Sequence, residues 1–226
     1  MLASAGAAAW STYLHWLPCR GSMLRGSIIY DYAYVGPKFS QACEQRMSGD
    51  QGPFELALYV LAVALAGVAW LTLVLGMRWK LRTKRVAALP GLATLAVAGA
   101  MAIGDAAFGQ DGEILMLLLV SIDLSAVVAL IAILAWQPDV RRRVLRLVVV
   151  LWGTTAFGVI HVMAEYAIMI RFSDANWDTP PGTGYLTVAV ITISAILTVL
   201  MTLCSPQRGA DDAPQVDPGA RSLTLA

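Results

Sequence analysis

"FELALYVLAVALAGVAWLTLVLGM" (residues 54–77) runs directly into "RWKLRTKR" (78–85). At 1.5 Å per residue the first stretch is about 36 Å long as a helix, enough to cross a hydrocarbon core of about 30 Å. The five basic residues that follow it, with no acid among them, mark a cytoplasmic loop by the positive-inside rule. Four further apolar segments of similar length lie at 86–107, 113–136, 147–170 and 184–204. A sixth candidate, "LASAGAAAWSTYLHWL" (2–17), is shorter and rich in alanine. The chain therefore reads as an all-α membrane protein, a bundle of five or six transmembrane helices.

The totals agree. Of 226 residues, 58% are hydrophobic and only 14% charged, where a soluble domain carries about 25% charge. The mean hydropathy is +0.67. A net charge of +1 gives no general attraction for nucleic acid. No phosphate-binding loop, H-E-x-x-H or G-x-S-x-G motif occurs, so no enzyme activity and no cofactor are expected.

Loop charge sets the expected topology. "QPDVRRRVLR" (137–146) carries four arginines and one acid and joins 78–85 on the cytoplasmic side of the plasma membrane. Segment 1–17 is then a first helix, 18–53 an extracytoplasmic loop, 54–204 the helix bundle and 205–226 a disordered cytoplasmic tail rich in Ala, Pro, Asp and Gly. Trp16, Trp79, Trp136 and Trp177 fall near span ends and read as interfacial anchors, as does His15.

Cys19 follows the first apolar segment. A lipid-attachment site needs small residues before the cysteine, whereas Leu17 and Pro18 precede it. A metal site would want a C-x-x-C pair or nearby histidines. The remaining reading is a disulfide with Cys43, persistent on the outer side and worth about 3.5 kcal/mol by loop-closure entropy. Between them, "SIIYDYAYV" (27–35) suits an extended segment and "GPKFSQACEQRM" (36–47) a turn and helix with Ser40 as N-cap. Cys204 reads as a small buried hydrophobe.

Charges inside spans are costly and are candidates for function. Asp123 and His161 each lie about 14–15 Å from the outer ends of their helices, and Glu165 follows His161 by one turn; Asp105 lies near a helix end. One reading is a buried polar network that fixes helix register. The sharper one is a proton or ion path through Asp123, His161 and Glu165. A metal held by His161 and the carboxylates is weak, because one histidine and two acids on different helices make a poor donor set. The span 147–170 reads as unbroken, which argues against a transporter. Small residues at Gly67, Gly91, Ala96, Gly99, Ala100, Gly153 and Gly158 favour close helix packing within the bundle over docking to another subunit.

"WLPCRGSMLRGS" (16–27), "GPKFSQACEQRM" (36–47), "AWLTLVLGMRWK" (69–80) and "AALPGLATLAVA" (87–98) resemble a family of small polytopic membrane proteins of mycobacteria and related actinobacteria. The chain is also similar to small accessory subunits associated with MCE-type lipid importers. The resemblance spans roughly residues 10–105 and carries no catalytic motif. It implies a non-catalytic accessory subunit that docks on a permease-like partner in the lipid bilayer. The alternative is a small autonomous transporter using Asp123, His161 and Glu165.

Overall fold

The computed structural model describes residues 1–19, 41–48, 51–104, 113–137, 144–170 and 182–203. The extended segment near 28–34, Ser40, Asp105, Trp177, Cys204 and the tail lie outside the described residues. All regular structure among the described residues is helical: α1 (Leu2–Trp16), a 3-10 turn (Leu17–Cys19), α2 (Gln41–Met47), α3 (Pro53–Gly76), α4 (Leu81–Ala87), α5 (Leu89–Ile103), α6 (Glu113–Trp136), α7 (Val144–Thr155), α8 (Val159–Ile170) and α9 (Tyr185–Leu203). Pro53 opens α3 at its first position, where the missing N–H costs nothing.

Four helical stretches are long and apolar enough to cross a membrane: Pro53–Gly76, Leu81–Ile103, Ile114–Trp136 and Tyr185–Leu203. The second begins inside "RWKLRTKR", so Arg82, Lys84 and Arg85 are helical rather than loop residues. It joins α4 to α5 at Ala88. Pro90 has no N–H to offer the turn before it, which is why the helix is interrupted there. Along α6, Leu117, Leu124 and Ile131 are 70%, 63% and 61% exposed, while Ile122, Ala129 and Ile133 are buried. An exposed stripe of large aliphatic residues at seven-residue spacing is at home in lipid, not in water. The protein is an integral membrane protein.

The span expected over 147–170 is broken. Its two parts, Leu145–Thr155 and Val159–Met169, meet at 65°. Each half rises only about 17 Å, too little to cross alone. The sequence at the break is "TAFG" (155–158), where Phe157 is buried and meets Tyr59 edge-on at 5.7 Å. A fully buried aromatic and a glycine hold the bend from inside.

α1 packs on α3 and α9, α3 on α5, α5 on α6, and α7 on α9 with further contacts to α3, α5 and α6. Although α1 is only 15 residues long, it is a full member of the bundle. Ser4 Oγ donates to the Ala62 carbonyl at 2.7 Å and Ser11 Oγ to the Glu55 carbonyl at 2.8 Å. The two serines and the two carbonyls are equally spaced along antiparallel helices, so the pair of bonds sets one register. Ser194 Oγ ties α9 to the Val149 carbonyl of α7 at 2.6 Å in the same way.

Gly67 and Gly91 form a close backbone crossing. A Cβ on either would lie 2.9 Å from the other's carbonyl oxygen, so the α3 and α5 backbones touch there. A Cβ on Gly99 would meet nothing within 4 Å, and Ala96 is exposed; the small residues thus divide between a packed face and an open one. Gly67→Ala should lower stability by about 1–3 kcal/mol, whereas Gly99→Ala should leave it unchanged or slightly raised. Thermal unfolding midpoints in detergent compare the two; equal effects would contradict the crossing.

Candidate functional site: carboxylates at helix starts

A helix leaves its first N–H groups without partners inside it, and an apolar surrounding supplies none. Among the described residues three helices begin at a glycine, which has no side chain to act as a cap. In each case a carboxylate supplies the acceptor.

At α3 the arrangement is local. Glu55, on the first turn, accepts from the Gly52 N–H at 3.2 Å through Oε2. Its Oε1 accepts from Arg46 Nη2 at 2.8 Å. His15 Nδ1 lies 3.5 Å from Oε2, and its ring meets Trp16 edge-on at 4.6 Å. Glu55 is 8% exposed and His15 9%. Neither His15 nor Trp16 is an interfacial anchor. Trp16 is fully buried, and its Nε1 donates to the Thr183 carbonyl at 2.9 Å. That bond joins the end of α1 to the start of α9.

At α8 the acid comes from another helix. Asp123 Oδ2 accepts from the Ile160 N–H at 2.9 Å, and the Val159 N–H lies within electrostatic reach of the same carboxylate. A Cβ on Gly158 would run into the Asp123 carboxylate. The missing side chain therefore makes the space that the acid from α6 fills. The partial positive charge of a helix N-terminus favours an acidic group at this place.

At α9 the donor set is larger. Glu165 Oε1 accepts from the Gly184 N–H at 2.7 Å and the Leu186 N–H at 2.9 Å, and Oε2 from Thr187 Oγ1 at 2.7 Å. Glu165 is 2% exposed. Gly184 has φ +101° and would press a Cβ to 2.9 Å from Thr12 Oγ1; only glycine suits this position.

The three residues singled out in the sequence are thus divided between two helix starts. His161 lies within electrostatic reach of Asp123, and its Nε2 is buried without a hydrogen-bond partner among the described residues. Among the described residues no hydrogen bond links any two of Asp123, His161 and Glu165. Nor do any three His, Cys, Asp or Glu side chains among them converge to hold a metal ion. Ser121 and Ser125 bond back to the Leu118 and Ile122 carbonyls of their own helix.

Cys19 and Cys43 form a disulfide, with Cα atoms 5.0 Å apart. Both are buried with Trp16 and Met47. The bridge and the Arg46–Glu55 ion pair attach α2 at two points, one to the end of α1 and one to the start of α3. Sequence reading passed over Glu55; its signal was a Gly-Pro-x-Glu start (52–55) with the acid at the third helical position.

No family model, curated protein or solved structure matches the chain.

Glu165→Ala strands three donors and should cost on the order of 3 kcal/mol; Asp123→Ala strands the Ile160 N–H and should cost about 1–2 kcal/mol. Asp123→Asn and Glu165→Gln, which keep one acceptor oxygen, should each be milder than the alanine variant. Unfolding midpoints in detergent check the order; alanine variants as stable as the parent would contradict the capping roles.

Proposed function

We propose that this integral membrane protein is a non-catalytic subunit that docks on a larger membrane complex. The sequence resemblance points to an MCE-type lipid importer with a permease-like partner. The observation that carries the reading is the two-point attachment of α2. A short helix outside the spans, held by a disulfide and an ion pair, keeps Gln41, Glu44, Gln45 and Ser48 exposed on a fixed frame. A preordered surface loses little entropy when a partner binds. The intramembrane acids support the same reading, because their oxygens are engaged on the chain's own helix starts. By segment charge the disulfide end faces outward and the basic segments 78–85 and 137–146 face the cytoplasm of a plasma membrane.

A second reading is favoured by one observation: the 65° bend places Asp123 and the unpartnered His161 Nε2 at a broken span, and broken helices line the sites of many transporters. In it the protein is a small proton-coupled transporter.

Purification in mild detergent at native expression should recover a stoichiometric membrane partner, and Cys43→Ser should lower that recovery severalfold while the bundle stays folded. A folded monomer without partner would contradict the docking reading. Liposome flux abolished by Asp123→Asn and His161→Ala would establish the second instead.

A further inference from the structure

Four of the cations at the basic end of the bundle divide into two kinds. Lys84 Nζ donates to the Leu75 carbonyl at 2.9 Å and Arg146 Nη2 to the Met201 carbonyl at 2.9 Å. These two satisfy the last carbonyls of α3 and α9. Lys80 and Arg82 meet no carboxylate among the described residues. Instead they line a recess of about 400 Å³ with Thr83 and Trp136. The Arg82 guanidinium lies 4.1 Å over the Trp136 ring. A guanidinium held over an indole face makes a cation–π contact that leaves N–H groups for an anion, and a guanidinium can grip two oxygens of a phosphate. Gln137 Nε2 donates to Thr83 Oγ1 at 3.3 Å and ties the end of α6 to α4 beneath it.

We propose that the recess lined by Lys80, Arg82, Thr83 and Trp136 binds the phosphate-bearing headgroup of an anionic phospholipid. The occupant follows from the position. The recess lies where two apolar spans end, Leu81–Ile103 at its start and Ile114–Trp136 at its finish. Leu81, between the two cations, is 63% exposed. Cations at the headgroup level beside exposed aliphatic and aromatic surface match a molecule that is anionic at one end and apolar at the other. Such molecules surround the helix ends at high local concentration.

The test uses the full chain in mild detergent, with native mass spectrometry after addition of phosphatidylglycerol, phosphatidylcholine or inorganic phosphate. Phosphatidylglycerol should be retained about tenfold better than phosphatidylcholine. The pair Lys80→Ala and Arg82→Ala should remove most of that preference. The pair Arg78→Ala and Arg85→Ala, which takes the same charge from outside the recess, should change it by less than about twofold. Equal losses in both pairs would show diffuse attraction and overturn the site. Equal retention of the two lipids would also overturn it, and displacement by inorganic phosphate alone would make it a free-anion site. A second measurement needs no cation variant. In vesicles, brominated phosphatidylglycerol should quench Trp136 more than brominated phosphatidylcholine does, with Trp136→Phe giving the signal to subtract. No difference between the lipids would count against the proposal.

Discussion

Exposed backbone N–H groups at the start of a helix cannot be left unpaired inside a membrane protein, and the rest of this architecture follows from how two such starts are satisfied. α8 begins at a bend within a broken span, and α9 begins against the wall of α1. Both start at glycine, and both borrow a carboxylate from a neighbouring helix: Asp123 from α6 and Glu165 from α8. Each acid therefore does two things. It satisfies amides that would otherwise be orphaned, and it fixes the position of one helix against another. The chain of caps runs from α6 to α8 to α9.

From that chain the remaining contacts extend inward and outward. Trp16 joins the start of α9 to α1. Ser4 and Ser11 then set α1 against α3 at two points, and Gly67 with Gly91 brings α3 against α5. At the disulfide end, Glu55 repeats the glycine–carboxylate start within one helix and extends it to Arg46. The outer helix is thereby coupled to the same frame. These ties make the polar residues part of the architecture.

Much of the bundle was legible in the sequence, because a span needs only length and hydropathy, and the apolar blocks 54–77 and 113–136 carry both. The Cys19–Cys43 pairing was legible for a similar reason: two cysteines in one short loop leave few alternatives. The bend was not. Hydropathy over 147–170 is continuous, and the break depends on Phe157 packing into a core that forms only after the other helices meet. Trp16 and His15 were misplaced at the interface because their position near a span end says nothing of which helix will cover them. The acids were located but not their partners, since a cap supplied across helices leaves no local pattern, unlike the Gly52–Glu55 start of α3.

The central claim is that Asp123 and Glu165 serve separate helix starts rather than one shared network. Amide hydrogen exchange resolved by residue, compared among the parent, Asp123→Ala and Glu165→Ala in the same detergent, tests it most directly. Asp123→Ala should speed exchange at Ile160 and leave Gly184 and Leu186 protected; Glu165→Ala should do the reverse. If either substitution opened both sets of amides together, or neither set at all, the account would be contradicted.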